Sequence, residues 1–164
     1  MFNLRKYLYQ RLTAFIAEQL PSRYKNNLYS WIEDGEIIDE GQQLTEQGEV
    51  LAFLKYNAVI WLEQFPFKQI DPAVIKVNLL HWLKQNDPYR YRVESAVNFD
   101  IEMLDDNTAD LVFNVQCFEP MEAVEDENGN IYANGKKYRL DYINIYTAEE
   151  IATEISIDTS EHSI

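Results

Sequence analysis

DPAVIKVNLLHWLKQNDPYRYRVESAVNFDIEMLDDNTADLVFNVQCFE, residues Asp71–Glu119, decides the fold. Asp71 offers a side-chain oxygen to the free N–H groups of a helix start, and Pro72 falls at the first helical position, where no N–H is needed. Asn86-Asp87-Pro88 is a stop, because the residue before a proline is pushed out of the helical region. Between them Ile75, Leu79, Trp82 and Leu83 recur at helical spacing, while Lys76, Asn78, His81 and Lys84 occupy other faces. The apolar stripe needs a sheet to lie on. Val97, Phe99, Ile101 and Met103 alternate with Asn98, Asp100 and Glu102, the period-two pattern of a strand wet on one side. Leu111, Phe113, Val115 and Cys117 repeat it against Asn114 and Gln116, and Asp105-Asp106-Asn107 supplies turn chemistry between the two runs. The stretch predicts an antiparallel hairpin with a helix on its apolar face.

The flanking sequence extends this layer. Leu4, Leu8, Leu12, Phe15, Ile16 and Leu20 make a helical stripe that Pro21 ends. It suits either core packing or docking on a neighbouring subunit. Leu28 to Glu33 is aromatic and β-prone, and Asp34-Gly35 marks a turn or bulge. Gly41 to Gly48 reads as a polar connection. Val50 to Phe65 is the longest apolar run: Leu54, Tyr56, Ala58, Ile60 and Leu62 share one face, Phe53, Val59 and Trp61 the other. Apolar residues on both faces place this strand near the sheet centre or set its outer face against another subunit. Glu119-Pro120 is expected to break the hairpin's second strand, and Glu122 to Tyr132 to form a small hairpin around Asn128-Gly129. Asn134-Gly135 repeats the turn signal, Tyr138, Leu140 and Tyr142 alternate, and Thr147 with Glu150 can box the start of a short helix through Ile155. The expected fold is α+β, a mainly antiparallel sheet covered on one face by helices. Residues 1–134 would form one domain, with a helix over about 4–20 and the central strands and helix over 28–119; residues 135–164 would be a partly flexible C-terminal extension.

The chain has 164 residues, enough to bury a core without staples, and its sole cysteine allows no internal disulfide. No apolar run approaches the roughly 20 residues that span a bilayer, and no signal peptide is visible, so a soluble protein is expected. The net charge of −14 is unevenly spread. Residues 1–92 hold 11 acids and 11 bases, residues 93–164 hold 17 acids and 3 bases, and none of those bases precedes Lys136. Such a surface repels nucleic acid and lipid headgroups; it favours a basic protein surface or a cation, or simply keeps the chain in solution.

Catalytic signatures are missing: no Gly-rich phosphate loop, no Gly-x-Ser-x-Gly elbow, and no His or Cys pairs at metal-ligand spacing. His81 sits off the apolar stripe and reads as an exposed helix residue; Cys117 lies in register with apolar neighbours and reads as a small core hydrophobe. Asp105, Asp106, Asn107 and Asp110 lack the alternation and the glycine of a calcium loop and read as a plain turn. Glu119, Glu122, Glu125, Asp126 and Glu127 could attract a cation, yet their spacing aims at no single point. The expectation is a non-enzymatic protein with no cofactor and no metal.

The order of elements resembles a known family. A strand around Leu28–Ile32 running into Glu33-Asp34-Gly35, a long strand to Phe65, and Trp82-Leu83-x-x-Asn86-x-Pro88 closing the helix are similar to the tail completion proteins of contractile-tailed temperate phages, the product R family. So is the run Phe99-Asp100-Ile101-Glu102 through a polar turn to Asp110-Leu111-Val112-Phe113-Asn114-Val115, followed by an acidic turn with Gly129. The resemblance covers roughly residues 28–134 and departs from the family picture at both ends. It implies a structural, tail-terminator-like component at the head-proximal end of a phage or prophage tail, located in the virion tail and, during assembly, in the host bacterial cytoplasm. It further implies self-association into a hexameric ring that caps tube and sheath and meets head-connector proteins, with no nucleic acid or membrane as partner. Candidate interface residues are Trp61 on the aromatic strand, Asp105 and Asp106 on the turn, and Glu122, Glu125, Asp126 and Glu127 on the acidic segment. Two alternatives stay open: an acidic DNA mimic that inhibits a nucleic-acid-binding protein, and a small metal-binding module built on the Asp105–Asp110 turn.

Overall fold

The computed structural model describes residues 6–41, 43–45 and 48–141. Its elements are helix α1 (Leu8–Glu18), strands β1 (Leu28–Ile38), β2 (Gln43–Leu44) and β3 (Glu49–Phe65), helix α2 (Pro72–Asn86), and strands β4 (Asn98–Met103), β5 (Ala109–Glu125), β6 (Ile131–Ala133) and β7 (Lys136–Leu140). All seven strands join one antiparallel sheet in the order β1-β3-β5-β7-β6, with β2 added to β3 and β4 added to β5.

β3 lies between β1 and β5, at the centre of the sheet, and both of its faces carry packed apolar side chains. Tyr56, Ala58, Ile60 and Leu62 meet Leu111, Phe113, Val115 and Cys117 of β5 under the two helices. α1 contributes Leu8, Leu12 and Ile16 to this core, and α2 contributes Ile75, Leu79 and Leu83. Phe15 of α1 stacks on Trp82 of α2 with ring centroids 5.8 Å apart, so the helices pack side by side. Asp71 caps α2 as its sequence indicates, accepting from the Ala73 N–H at 2.9 Å. A smaller cluster of Val50, Phe53 and Phe118 lies on the opposite face, where Tyr89 and Val93 of the segment after α2 cover it. Arg92 stacks on Phe118 at 4.3 Å and grips both carboxylate oxygens of Glu40, tying that segment to the loop after β1.

Asp34-Gly35 is a bulge, one of the two forms its sequence allowed: Asp34 takes a positive φ, the register shifts between Glu33 and Glu36, and β1 continues to Ile38. Several other expectations need correction. Pro120 does not break β5, since the strand runs on to Glu125. β3 runs beside this stretch with Phe53 opposite Pro120, but among the described strands none pairs with the other edge of β5 between Asn114, where β4 stops, and Ala123, where β7 begins, so on that edge a residue without an N–H interrupts no ladder. The C-terminal hairpin turns at Asn134-Gly135, not at Asn128-Gly129: both Asn134 (φ 53) and Gly135 (φ 75) have the positive φ of a type I′ turn, and β6 pairs with β7. The sheet therefore takes in Lys136–Leu140, beyond the boundary expected at residue 134. The apolar side chains expected to bury β4 are largely exposed: Phe99 46%, Ile101 45% and Met103 60%. α2 covers β5 and stops short of the edge strand. Leu4 and the helix expected from Thr147 to Ile155 lie outside the described residues.

Candidate functional site

The seven candidate interface residues fall in three separate places. Trp61 is half-buried on the face of β3 opposite the helices, its ring 5.2 Å from Tyr29 of β1. Trp31 belongs to the same face by strand alternation, and its indole N–H donates to Glu33 at 3.0 Å. With buried Val59 beneath them they make this face aromatic, and the long β3 run foreshadowed it through Val59 and Trp61.

Asp105 and Asp106 lie in the β4–β5 turn, while Glu122, Glu125, Asp126 and Glu127 lie at the far end of β5. The 17 residues of β5 put the two sets about 55 Å apart if the strand is straight. Asp105 is spent on its own turn: one carboxylate oxygen accepts from the Asn107 N–H at 2.8 Å, the Thr108 N–H at 2.7 Å and the Thr108 hydroxyl at 3.0 Å. These bonds hold its carboxyl below the ordinary value. At the other end β7 brings back the bases that the preceding sequence lacks. Lys136 reaches Glu125 at 3.7 Å, and Arg139 bridges Asp126 and Asp141, each at 3.1 Å. Glu125 and Asp126 are thus partly neutralised by bases, and among the described residues no group of three or more His, Cys, Asp or Glu side chains is placed to hold a metal ion.

Glu119, a candidate surface acid in the sequence, is instead buried (5% exposed). It shares the face of Leu111, Phe113, Val115 and Cys117 by alternation, a signal that the sequence did contain. Its carboxylate accepts the Leu8 N–H at 3.0 Å and the Tyr56 hydroxyl, and that hydroxyl in turn accepts the Tyr9 N–H at 3.3 Å. The first two N–H groups of α1, which no intrahelical carbonyl can serve, are therefore satisfied by β5 and β3. A carboxylate at the positive end of the helix also favours this docking. Cys117 is buried in the same layer, and burial raises its thiol far above the reactive range.

Asp87, just past α2, is buried near this group and accepts from the Tyr89 N–H at 3.0 Å and from Arg90 at 3.4 Å. Burial raises its carboxyl above the ordinary 3.8, outweighing the bond from Tyr89 and the charge of Arg90. The native state thus holds this proton more tightly than the unfolded chain does. Its stabilising contribution is full below pH 3.8 and is lost as pH rises through the folded value. Chemical denaturation of Asp87→Asn beside the parent should therefore show the variant gaining relative stability as pH is raised from about 3 to 6. A difference independent of pH would contradict the assignment.

A groove of about 480 Å³ separates α2 from β4. Leu79 and Phe113 form its floor, Leu80, Val97 and Phe99 its walls, and Lys76 and Lys84 its rim. Lys76 holds its ammonium 3.8 Å from the centre of the Phe99 ring. Sequence periodicity missed this groove because it assigned Phe99 to the covered core.

Comparison with known proteins agrees with the sequence pattern. The family described as P2 phage tail completion protein R (GpR) matches residues 6–142. A protein of Haemophilus phage HP1 (strain HP1c1), described as an uncharacterized 19.2 kDa protein in the rep-hol intergenic region, is 44% identical over 159 residues, 96% of each chain. No solved structure matches.

Proposed function

The chain belongs to the P2 phage tail completion protein R family, and from that membership we propose that it closes the head-proximal end of the tail and joins it to the head. The match across residues 6–142 carries this reading. The proposed working form is a hexameric ring, tail-terminator-like in fold, that rests on the tail tube or sheath and presents another face to the head-connector proteins. It acts by binding and not by turnover, assembling in the bacterial cytoplasm and remaining in the virion tail.

Physical features support a protein that works through contacts. The aromatic outer face of Tyr29, Trp31 and Trp61 and the exposed apolar edge of β4 suit burial against other assembly proteins. The proposed contacts to partners include Trp61 and the two acidic ends of β5. No helix among the described residues is long and apolar enough to cross a membrane.

A phage lacking this chain should give filled heads and separate tails, with joining restored when the purified protein is added. Native mass spectrometry should find the ring, alone or with tail tube protein. Normal virions without the chain would overturn the role; a strict monomer that ignores tube protein would overturn the ring.

A further inference from the structure

The groove between α2 and β4 combines an apolar floor with two lysines at its rim, in a chain of net charge −14. Its complement would be an exposed apolar side chain set among carboxylates. Ile37, near the end of β1, has that character: at 82% it is the most exposed large hydrophobic side chain among the described residues. It lies in Glu33-Asp34-Gly35-Glu36-Ile37-Ile38-Asp39-Glu40, which holds five acids and no base. Glu33 and Glu40 serve Trp31 and Arg92, while Asp34, Glu36 and Asp39 stand exposed around Ile37. Even with Lys55 opposite Glu36 on β3, this arm keeps a negative surplus.

The arm and the groove of one subunit are too far apart to meet. β1 and β4 have β3 and β5 between them, which sets them about 14 Å apart across the sheet. Along the strands Ile37 stands level with Leu54 and Glu119, whereas Phe99 stands level with Phe113, six residues or about 20 Å away on β5. A side chain bridges only a fraction of that distance, so the occupant comes from outside the subunit. The charges match in spacing: Lys76 and Lys84 are about 12 Å apart along α2, and Glu36 and Asp39 about 10 Å apart along an extended chain.

We infer that the acidic arm at the end of β1, residues 34–39, docks in the α2–β4 groove of a second copy of this chain. Ile37 enters over Leu79 and Phe113 beside Phe99, and Glu36 and Asp39 meet Lys76 and Lys84. Donor and acceptor are different surfaces, so every copy can use both at once, and such a head-to-tail contact closes into a ring when its rotation permits. The inference rests on the self-association proposed above and names the surfaces that carry it.

A size-tagged Ile37→Cys chain mixed with an untagged Leu80→Cys chain under mild oxidation should give a disulfide dimer of mixed size as the dominant product. Buried Cys117 stands outside this exchange. A chain carrying both cysteines should give a ladder of linked copies; a disulfide within one chain would overturn the second-copy assignment. In sedimentation, changing Lys76 and Lys84 to Glu should weaken self-association about tenfold, and changing Glu36 and Asp39 to Lys in that same chain should restore it. An oligomer that forms no mixed disulfide, or whose association ignores the charge reversal, would overturn the docking and leave the ring standing. A strict monomer, with or without tail tube protein, would overturn both.

Discussion

Replacing Glu119 with alanine is expected to lower the unfolding free energy by about 3 kcal/mol, read from urea or guanidinium denaturation at pH 7. The change strips the acceptor from the Leu8 N–H and from the Tyr56 hydroxyl, both buried, and leaves a gap between α1 and β5. An unsatisfied buried donor costs more than a hydrogen bond contributes, so two such donors dominate the effect. Glu119→Gln retains an acceptor oxygen and loses only the charge at the positive end of α1, which should cost about 1 kcal/mol. Tyr56→Phe should fall between the two, because it removes one bond to Glu119 and the hydroxyl that accepts the Tyr9 N–H. If alanine and glutamine were equally mild, the carboxylate would not be what fastens α1 to the sheet.

Gly129→Ala should be nearly as damaging, at about 3 kcal/mol, with the loss concentrated in β6 and β7. A Cβ at this position would lie 2.2 Å from the Tyr138 carbonyl oxygen, 2.4 Å from its carbon and 2.9 Å from the Asp126 oxygen. All three are backbone atoms, so the clash is relieved only by shifting backbone, the turn that carries Gly129 away from β7. That movement would strain the Asp126 N–H bond to the Lys137 carbonyl and unseat Tyr138, which is buried and donates to Glu49 at 2.8 Å. Gly135→Ala is the control. Nothing lies within 4 Å of its Cβ, and the φ of +75° is the sole obstacle, worth about 1 kcal/mol. Equal costs for the two variants would refute the close approach at Gly129. Hydrogen exchange at Tyr138 and Arg139 would show whether β7 is the part that loosens.

The two Asn-Gly pairs illustrate what local sequence can and cannot say. Both carry the same turn signal, yet only Asn134-Gly135 uses it as a hairpin. At Asn128-Gly129 the glycine is needed because another strand's backbone passes close by, and no local pattern encodes that strand's position. Pro120 is the same kind of case. Its sequence meaning is a break; its actual tolerance follows from which stretch of β5 has a strand on the edge away from β3. Six of the seven candidate interface residues are acids, and charge along a chain ignores neighbours in space. β7 therefore set Lys136 and Arg139 against acids that look unopposed in the sequence.

By itself the sequence determined the α+β class, the capped helix from Asp71 to Asn86, the central place of β3 and the family, because capping, periodicity and apolar run length are properties of residues close in the chain. The tertiary structure alone decided that Glu119 is a buried helix anchor, that β4 leaves its apolar face beside a lysine-rimmed groove, and that the acidic stretch is partly neutralised. Those facts depend on which distant segments meet, and alternation records the face a residue takes without recording what covers it.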